Sequence, residues 1–483
     1  MDWCDSVDHG WQTQVVLLTA VAGAGKSAVA QTIAHLCDQR GILLSSFFFS
    51  EGNVTSPECL WSGVARSLAI KSESYRQMLT SILEKDPSIA TAAFDEQFRG
   101  LILKPLRHGQ PPVDSPLIVV IDALDECDED ASRTLSKLLR DSVPELPRCF
   151  KFFVTSRPIR VVDNYFHSPS PIHHMSIELS DDKNLQDCRK YINSQVLELK
   201  DLRQVTADNW RPDLEEKLVT YAGGLFIWVS IVMEYLKNKS TDPVVALEDL
   251  LDLDASRDDV PAEETLDTLY TAILSKCNWK DRTFKHDYPI VMGAIITAKS
   301  SLSITAWATL LSPFLKTSLG NTISELRPLL SGTGQRSTPI QLLHQSLRDY
   351  LKRDDVNEVW TKLEPAVNQE RLVLRCFQVT NDEIRKVAGL GIIEELGESE
   401  VMPTILQTNI SEHLAYACHY GLDHISHVQR VSGDLETEIE KFLQESITTW
   451  LELCVRTERY ISIYPFFDWI KVSHGNACML VSG

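Results

Sequence analysis

The sequence predicts an α/β fold that gives way to a mainly α-helical half: a parallel sheet with helices on both faces, followed by helical domains. Three observations carry this. Short apolar runs alternate with longer amphipathic ones up to about residue 200. Strand signals thin out beyond residue 205. The first apolar run also leads, through the glycines and alanines of "LLTAVAGAGKSAVAQTIA" at residues 17–34, into a helix-like stretch.

In chain order, apolar runs too short for helices predict strands over Gln14–Thr19, Leu43–Phe49, Leu117–Ile121, Phe150–Thr155 and Ile172–Leu179. Between them, helical apolar spacing predicts helices over Lys26–Asp38, Glu58–Ala69, Phe94–Arg107, Ala131–Ser142 and Asn184–Leu197. Further helices are expected over Pro212–Ala222, Leu225–Lys237, Glu264–Lys276, Leu363–Phe377 and Ser411–Tyr420. The acidic stretch "EDLLDLDASRDDVPAEE", residues 248–264, is interrupted by a proline and reads as a solvated linker. Asp434 to Cys454 reads as packed helical spacer, and the aromatic segment "YISIYPFFDW", residues 460–469, reads as core in preference to a docking surface.

Composition bounds the function. With 483 residues and 43% apolar content, the chain can bury a large core and is expected to form three or four domains. Its formal charge of −20 repels polyanions and no basic patch offsets it, so neither nucleic acid nor an anionic membrane surface is an expected partner. Eleven cysteines occur singly, without a C-x-x-C pair, which argues against a disulfide framework and against zinc. The polar, acidic start is no signal peptide, and Leu225–Met233 is far too short to span a bilayer. A cytoplasmic protein is expected. The sequons at Asn53, Asn238 and Asn409 are then chance matches.

The turn after the first strand has the Walker A form G-x-x-x-x-G-K-[ST], in which backbone N–H groups surround phosphates at a helix N-terminus, a lysine reaches the outer phosphates and a hydroxyl meets magnesium. Here it reads Ala20-Val21-Ala22-Gly23-Ala24-Gly25-Lys26-Ser27, followed by Ala28, with alanine at the first glycine position. Such a cradle needs a carboxylate for the metal shell. "LIVVIDALDE", residues 117–126, delivers Asp122 to the tip of an apolar strand, with Asp125 and Glu126 on the following turn to polarise a water. A carboxylate ending an apolar strand is costly without a partner. Cys127–Asp130 reads as an exposed acidic turn or helix cap. The next strand ends in "FFVTSRP", which projects Arg157 from the same sheet edge toward a terminal phosphate.

Together with "YAGGLFIWVSIVMEYL", "LDTLYTAIL" and "IQLLHQSLRDYL", these segments resemble the NACHT class of STAND nucleotide switches, in particular the fungal NLR-like and nephrocystin-3-like group, over residues 12–355. The spaced acids Asp122, Asp125 and Glu126 are the most specific element. The resemblance implies ATP/ADP and Mg2+ as cofactors and a stub at 1–12, a nucleotide-binding domain at 13–205, a small helical domain with acidic linker at 206–280, a winged helix at 281–355 and a helical region at 356–483. It implies that Lys26 and Ser27 bind phosphate and magnesium, that Asp122 holds magnesium through water, that Asp125 or Glu126 orients the attacking water and that Arg157 senses the third phosphate. His344, by its surroundings an ordinary core histidine, would by the same resemblance reach the diphosphate.

Departures accompany the matches. Ala20 replaces a glycine, and Gly223-Gly224-Leu225-Phe226 lacks the proline that packs on adenine in related switches. Guanine specificity is not expected, because Asn238-Lys239-Ser240-Thr241 lacks the aspartate of N-K-x-D; "LSGTGQ", residues 330–335, lies too far downstream for an ABC signature and reads as a glycine-rich turn. The start at the first strand and the end at "MLVSG", with no WD, ankyrin or tetratricopeptide repeats, leave a fragment, a misread frame and a short family member open. Two functions fit these residues. One is a slow Mg-dependent ATPase switch that self-assembles, or assembles with related NACHT proteins, when ATP-bound, in signalling or self/non-self recognition. The other is a truncated, non-hydrolysing nucleotide-binding scaffold that pairs with full-length relatives.

Overall fold

The computed structural model describes residues 2–5, 13–49, 58–107, 115–158, 165, 172–203, 210–239, 241–251, 261–353, 355–356, 358–391, 405, 409–428, 431–457, 463, 466–467 and 469. Two compact units divide the chain, Met1–Leu269 and Tyr270–Gly483. Most of the aromatic segment 460–469, the chain end "MLVSG", Asn53 and the centre of the acidic stretch lie outside the described residues.

The first unit is built on five parallel strands, β1 (Val15–Thr19), β2 (Leu43–Phe48), β3 (Leu117–Asp122), β4 (Phe150–Ser156) and β5 (Ile172–Ser176), in the order β2-β3-β4-β1-β5. Side chains alternate across the sheet, so one core takes Leu17, Val119, Phe152 and Val154 and the other takes Val16, Leu18, Ile118, Val120 and Phe153. In the central strands β1, β3 and β4, near-continuous apolar runs follow from burial on both faces. On the first face lie α3 (Glu58–Lys71), α4 (Glu73–Lys85), α5 (Phe94–Gln97), which continues through a π-helical stretch Phe98–Leu103 into α6 (Lys104–Arg107), and α7 (Glu129–Asp141). On the second lie α1 (Asp2–Asp5) and α2 (Lys26–Gln39).

Several sequence expectations are refined. Helix α4 escaped the apolar pattern because only Tyr75 and Leu79 are buried along it; Ser72 caps it by accepting from Tyr75 N. Trp3 and Cys4, which the sequence sets apart in a stub, pack in the second core, where the buried Lys151 donates to the Trp3 carbonyl. After the sheet, α8 (Asp182–Arg203), α9 (Pro212–Ala222), α10 (Phe226–Asn238) and α11 (Pro243–Leu251) pack on one another. Helix α11 corrects the linker expectation at its N-terminal end, since Leu247, Leu250 and Leu251 are buried and hold residues 248–251 helical. At the other end, residues 262–264 open α12 (Ala262–Ser275), within which the second unit begins.

The second unit first sets α13 (Arg282–Thr297), α14 (Ile304–Leu311), α15 (Leu319–Leu326) and α16 (Gln345–Leu351) around a small antiparallel sheet, β6 (Leu302–Ser303), β7 (Leu330–Ser331) and β8 (Pro339–Leu342), in the order β6-β8-β7. Strands of two to four residues leave no readable periodicity. Of "LSGTGQ", Leu330 and Ser331 form β7 and only residues 332–335 turn: Gly332 sits at φ 76°, where a Cβ would fall 1.9 Å from the Pro339 carbonyl oxygen. There follow α17 (Pro365–Glu383), α18 (Glu412–Ile425), α19 (Gly433–Lys441) and, through a π-helical stretch Phe442–Ser446, α20 (Ile447–Arg456). Among the described residues no helix is long and apolar enough to cross a membrane, and the cysteines are free thiols.

Candidate functional site

The C-terminal ends of β1, β3 and β4 bring the sequence-predicted residues of the first unit to one sheet edge. Between β1 and α2 the loop turns through Gly23 at φ 81° and Gly25 at φ 91°, and Gly25 is the residue that starts the helix. Both conformations favour glycine. Because Gly25 offers no side-chain cap, the first N–H groups of α2, at Lys26, Ser27 and Ala28, point out of the helix end without an intrahelical acceptor, the arrangement that receives anions. Ala20 fits without strain: among the described non-glycine residues only Ala123 and Glu364 have positive φ. Its N–H bonds the Ser156 carbonyl at 3.3 Å, which joins the loop to β4.

Lys26 folds over this loop, its Nζ donating to the carbonyls of Ala20 at 2.9 Å and Val21 at 3.0 Å. Burial holds its pKa below the ordinary value; Asp125 opposes this, Arg157 adds to it, and Asp122 and Glu126 oppose it more weakly. The ammonium therefore feels all four of the other charged candidates. Ser27 is exposed on the first turn of α2.

Asp122 ends β3, 3% exposed, and accepts from the Thr155 hydroxyl; Thr155 in turn accepts from Ala123 N at 3.0 Å. Strand parity explains the meeting, for Asp122 and Thr155 follow Val120 and Phe153 on the face that carries α2. Ala123 then adopts a left-handed conformation, φ 57°, from which a 3-10 turn, Leu124–Glu126, departs. Asp125 is paired with Arg157: one carboxylate oxygen accepts from Arg157 N at 2.9 Å, and the other lies 3.0 Å from its Nε. The sequence reading gave these two residues separate tasks, and the structure joins them. Glu126 is half-buried on the same turn.

Among the described residues no group of three or more His, Cys, Asp or Glu is placed to hold a metal ion alone. The donor set of one buried carboxylate and one exposed hydroxyl suits Mg2+, which takes few protein ligands and relies on phosphate oxygens and water.

His344 belongs to the second unit, where it caps α16: its Nδ1 accepts from Ser346 N at 3.2 Å and lies 2.7 Å from the Ser346 hydroxyl, which is 2.7 Å from the Tyr270 hydroxyl. A backbone N–H only donates, so Nδ1 is the acceptor and neutral His344 carries its proton on Nε2.

Two contacts were not readable from sequence. Ile227 N donates to the Gly23 carbonyl at 3.3 Å, and a Cβ on Gly23 would fall 2.0 Å from Ile227 Cγ2; the Phe226 ring lies 3.6 Å from the Cβ position of Gly25. The start of α10 thus packs on the glycine loop, in the segment where the proline was missed. Thr155 lies in "FFVTSRP", where the local sequence assigns it no role. Only the order of strands, which puts β4 beside β3, reveals it.

Comparison with known proteins gives one family match. Residues 1–157 match the model "Nephrocystin 3, N-terminal", a segment that contains the glycine loop, Asp122, Asp125, Glu126 and Arg157. Among curated proteins none matches. A solved structure, "Structure of Drosophila ORC bound to DNA", is similar at 13% identity over 68% of this chain and 86% of that chain, with a TM-score of 0.25. The fold stands on the strand order and register alone.

Proposed function

We propose that the chain is an ATP/ADP-binding switch whose nucleotide sits at the edge formed by Gly23–Ala28, Asp122 and Arg157. The observation that carries this is that β1, β3 and β4 end at one sheet edge, where Lys26, Asp122 and the Asp125–Arg157 pair lie beside a helix N-terminus entered through two left-handed glycines. In this reading the N–H groups of the loop and Lys26 take the phosphates, and the Ser27 hydroxyl with Asp122 takes Mg2+. The ion would neutralise charge that develops on the phosphates. Because both oxygens of Asp125 are turned to Arg157, Asp125 serves as the arm that aims the guanidinium, and Glu126, the other acid of the same turn, is read as the residue that orients water.

Hydrolysis is expected to be slow, since a switch needs a lifetime, and the two nucleotides must differ in affinity for the two states if they are to shift them. The small sheet and helices of residues 281–355 are read as the winged helix, with His344 as its diphosphate-sensing residue. Self-assembly of the ATP form with itself or with related NACHT proteins completes the proposal. A second reading, a scaffold that binds nucleotide without hydrolysing it, draws support from the Asp125–Arg157 pair and from Ile227 on the glycine loop, both of which suit a held state.

The test is to denature the purified protein and identify what it releases, with Lys26→Ala beside it. Near-stoichiometric ADP from the wild type and a loss of at least tenfold in the variant is the expected outcome. A wild type that releases nothing and takes up no labelled ATP with Mg2+ overturns both readings. If nucleotide is bound, phosphate release that disappears in Glu126→Gln selects the switch, and no release from either selects the scaffold.

A further inference from the structure

We propose that Thr155 is a positioning residue for the metal-facing carboxylate: its hydroxyl fixes Asp122 and the left-handed Ala123 turn together. The inference rests on the nucleotide-binding reading above. Thr155 is fully buried, and its single oxygen serves both ends of the turn, donating to Asp122 and accepting from Ala123 N at 3.0 Å. A hydroxyl has one proton, so the direction is forced. The backbone N–H of Ala123 can only donate, and the proton of Thr155 is then available to Asp122.

The neighbouring residues of β4 do related work. The Ser156 carbonyl accepts from Ala20 N at 3.3 Å, at the start of the glycine loop, while Arg157 is held by Asp125 through its N–H at 2.9 Å and its Nε at 3.0 Å. Three successive residues thus tie the loop, the metal-facing carboxylate and the acidic turn to one strand end. Thr155 holds the member of this set with the least freedom. Ala123, at φ 57° and ψ 51°, occupies a conformation costly for a residue with a Cβ, and such a turn persists only where its surroundings over-determine it. Removing the hydroxyl releases the Asp122 rotamer and the strained turn at once. A ligand carboxylate that loses its hydrogen-bonding partner typically loses about 10–100-fold in metal affinity.

The experiment compares wild type, Thr155→Val and Thr155→Ser in two measurements. First, binding of a fluorescent ADP analogue is titrated with Mg2+ and with chelator. Thr155→Val is expected to lose about tenfold of the Mg2+ enhancement while its affinity in chelator is unchanged, and Thr155→Ser to recover most of it. Second, the thermal midpoints of Thr155→Val, Asp122→Asn and the double variant are compared without nucleotide, where coupling shows as a double variant less destabilised than the sum. Retention of the Mg2+ enhancement in Thr155→Val overturns the assignment. So does thermal coupling together with equal loss in Mg2+ and in chelator, which makes Thr155 a merely structural bond. If the wild type binds no nucleotide, the nucleotide reading fails and the assignment with it; if it binds nucleotide with no Mg2+ enhancement, the binding reading stands and the assignment falls.

Discussion

The two units bury polar side chains in comparable variety and use them differently. In the first, Asp122, Thr155, Asp125 and Arg157 meet at a strand edge, where the N–H groups of the α2 start still face outward. In the second, the partners close on each other. Asp287, fully buried, accepts from Lys316 N at 2.8 Å, Thr317 N at 3.0 Å, the Thr317 hydroxyl at 2.9 Å and His286 at 2.8 Å. Glu452 and Arg456 pair at 2.8 Å on one turn of α20, and Glu452 also accepts from Gly391 N at 2.7 Å. Buried polarity therefore does not mark a site by itself. What marks one is polar groups that converge beside backbone donors not consumed by the fold.

The largest expected effect tests the cohesive side of this contrast. His424 is fully buried; Gln369 Nε2 lies 3.2 Å from its Nδ1 and donates to its carbonyl at 2.7 Å, while the Tyr416 hydroxyl is 2.7 Å from Nε2. Burial lowers its pKa to about 3, with Lys299 and His427 adding to the fall and Asp423 opposing it. An unfolded histidine titrates near 6.5, so between about pH 6.5 and about 3 the unfolded chain holds the extra proton and stability falls as pH falls. The ceiling is about 5 kcal/mol. Asp287 contributes in another window. Burial pushes its carboxyl up, but the bonds from Lys316, His286 and Thr317 outweigh this and hold it below the ordinary range, so its contribution is lost only below about pH 4. Urea unfolding from pH 7 to 4.5 isolates the histidine, and His424→Gln is expected to flatten that limb. A wild-type limb already flat would break the contrast.

Next in size is the α20 pair. With both side chains under 5% exposed, Glu452→Gln removes the carboxylate charge that faces the buried Arg456 guanidinium, which also donates to the Gly389 carbonyl, and is expected to cost about 3–5 kcal/mol. Glu452→Leu with Arg456→Met is expected to recover most of this, because two apolar side chains carry no unpaired charge. Denaturant midpoints measure both. Nucleotide content per folded molecule should stay at the wild-type level in each, which separates cohesion from binding.

The same contrast explains what the sequence revealed. At the sheet edge each residue lies within a few positions of a strand end and a glycine turn, so the chemistry is written locally; Lys26, Asp122 and Arg157 were each readable beside an apolar run. The central strands β1, β3 and β4 were recovered for the same reason, because burial on both faces makes them nearly continuously apolar, whereas the edge strands β2 and β5 are only partly buried. Thr155 and the Asp125–Arg157 pair depend on which strand lies beside which. Local periodicity does not carry that. In the second unit Gln369 and His424 are 55 residues apart, and β6 and β7 are two residues each, so neither pairing nor period was available. Helix α13 was hidden by Pro289 and Gly293, breakers by propensity that the fold uses: a Cβ on Gly293 would fall 1.9 Å from Asn368 Nδ2, and that amide donates to the Pro289 carbonyl at 2.9 Å.

The smallest expected effect asks whether the glycine loop is itself partly cohesive. Gly23 carries two constraints at once, a φ of 81° and the approach of Ile227, whose Cγ2 stands 2.0 Å from where a Cβ would be. Gly23→Ala should cost about 1–3 kcal/mol, part from the left-handed backbone and part from the clash. Ile227→Ala clears the space but leaves the conformation strained. The double variant should therefore regain only the clash, and the two substitutions should couple by roughly 0.5–2 kcal/mol in thermal unfolding. Strict additivity would mean that the loop tolerates a side chain by moving away from α10, and Gly23 would then be needed for its backbone alone. Coupling would mean that α10 reads the shape of the loop directly. The loop that offers its N–H groups outward would then also be a packing surface, and the division between the edge proposed to bind and a core that coheres would run through a single residue.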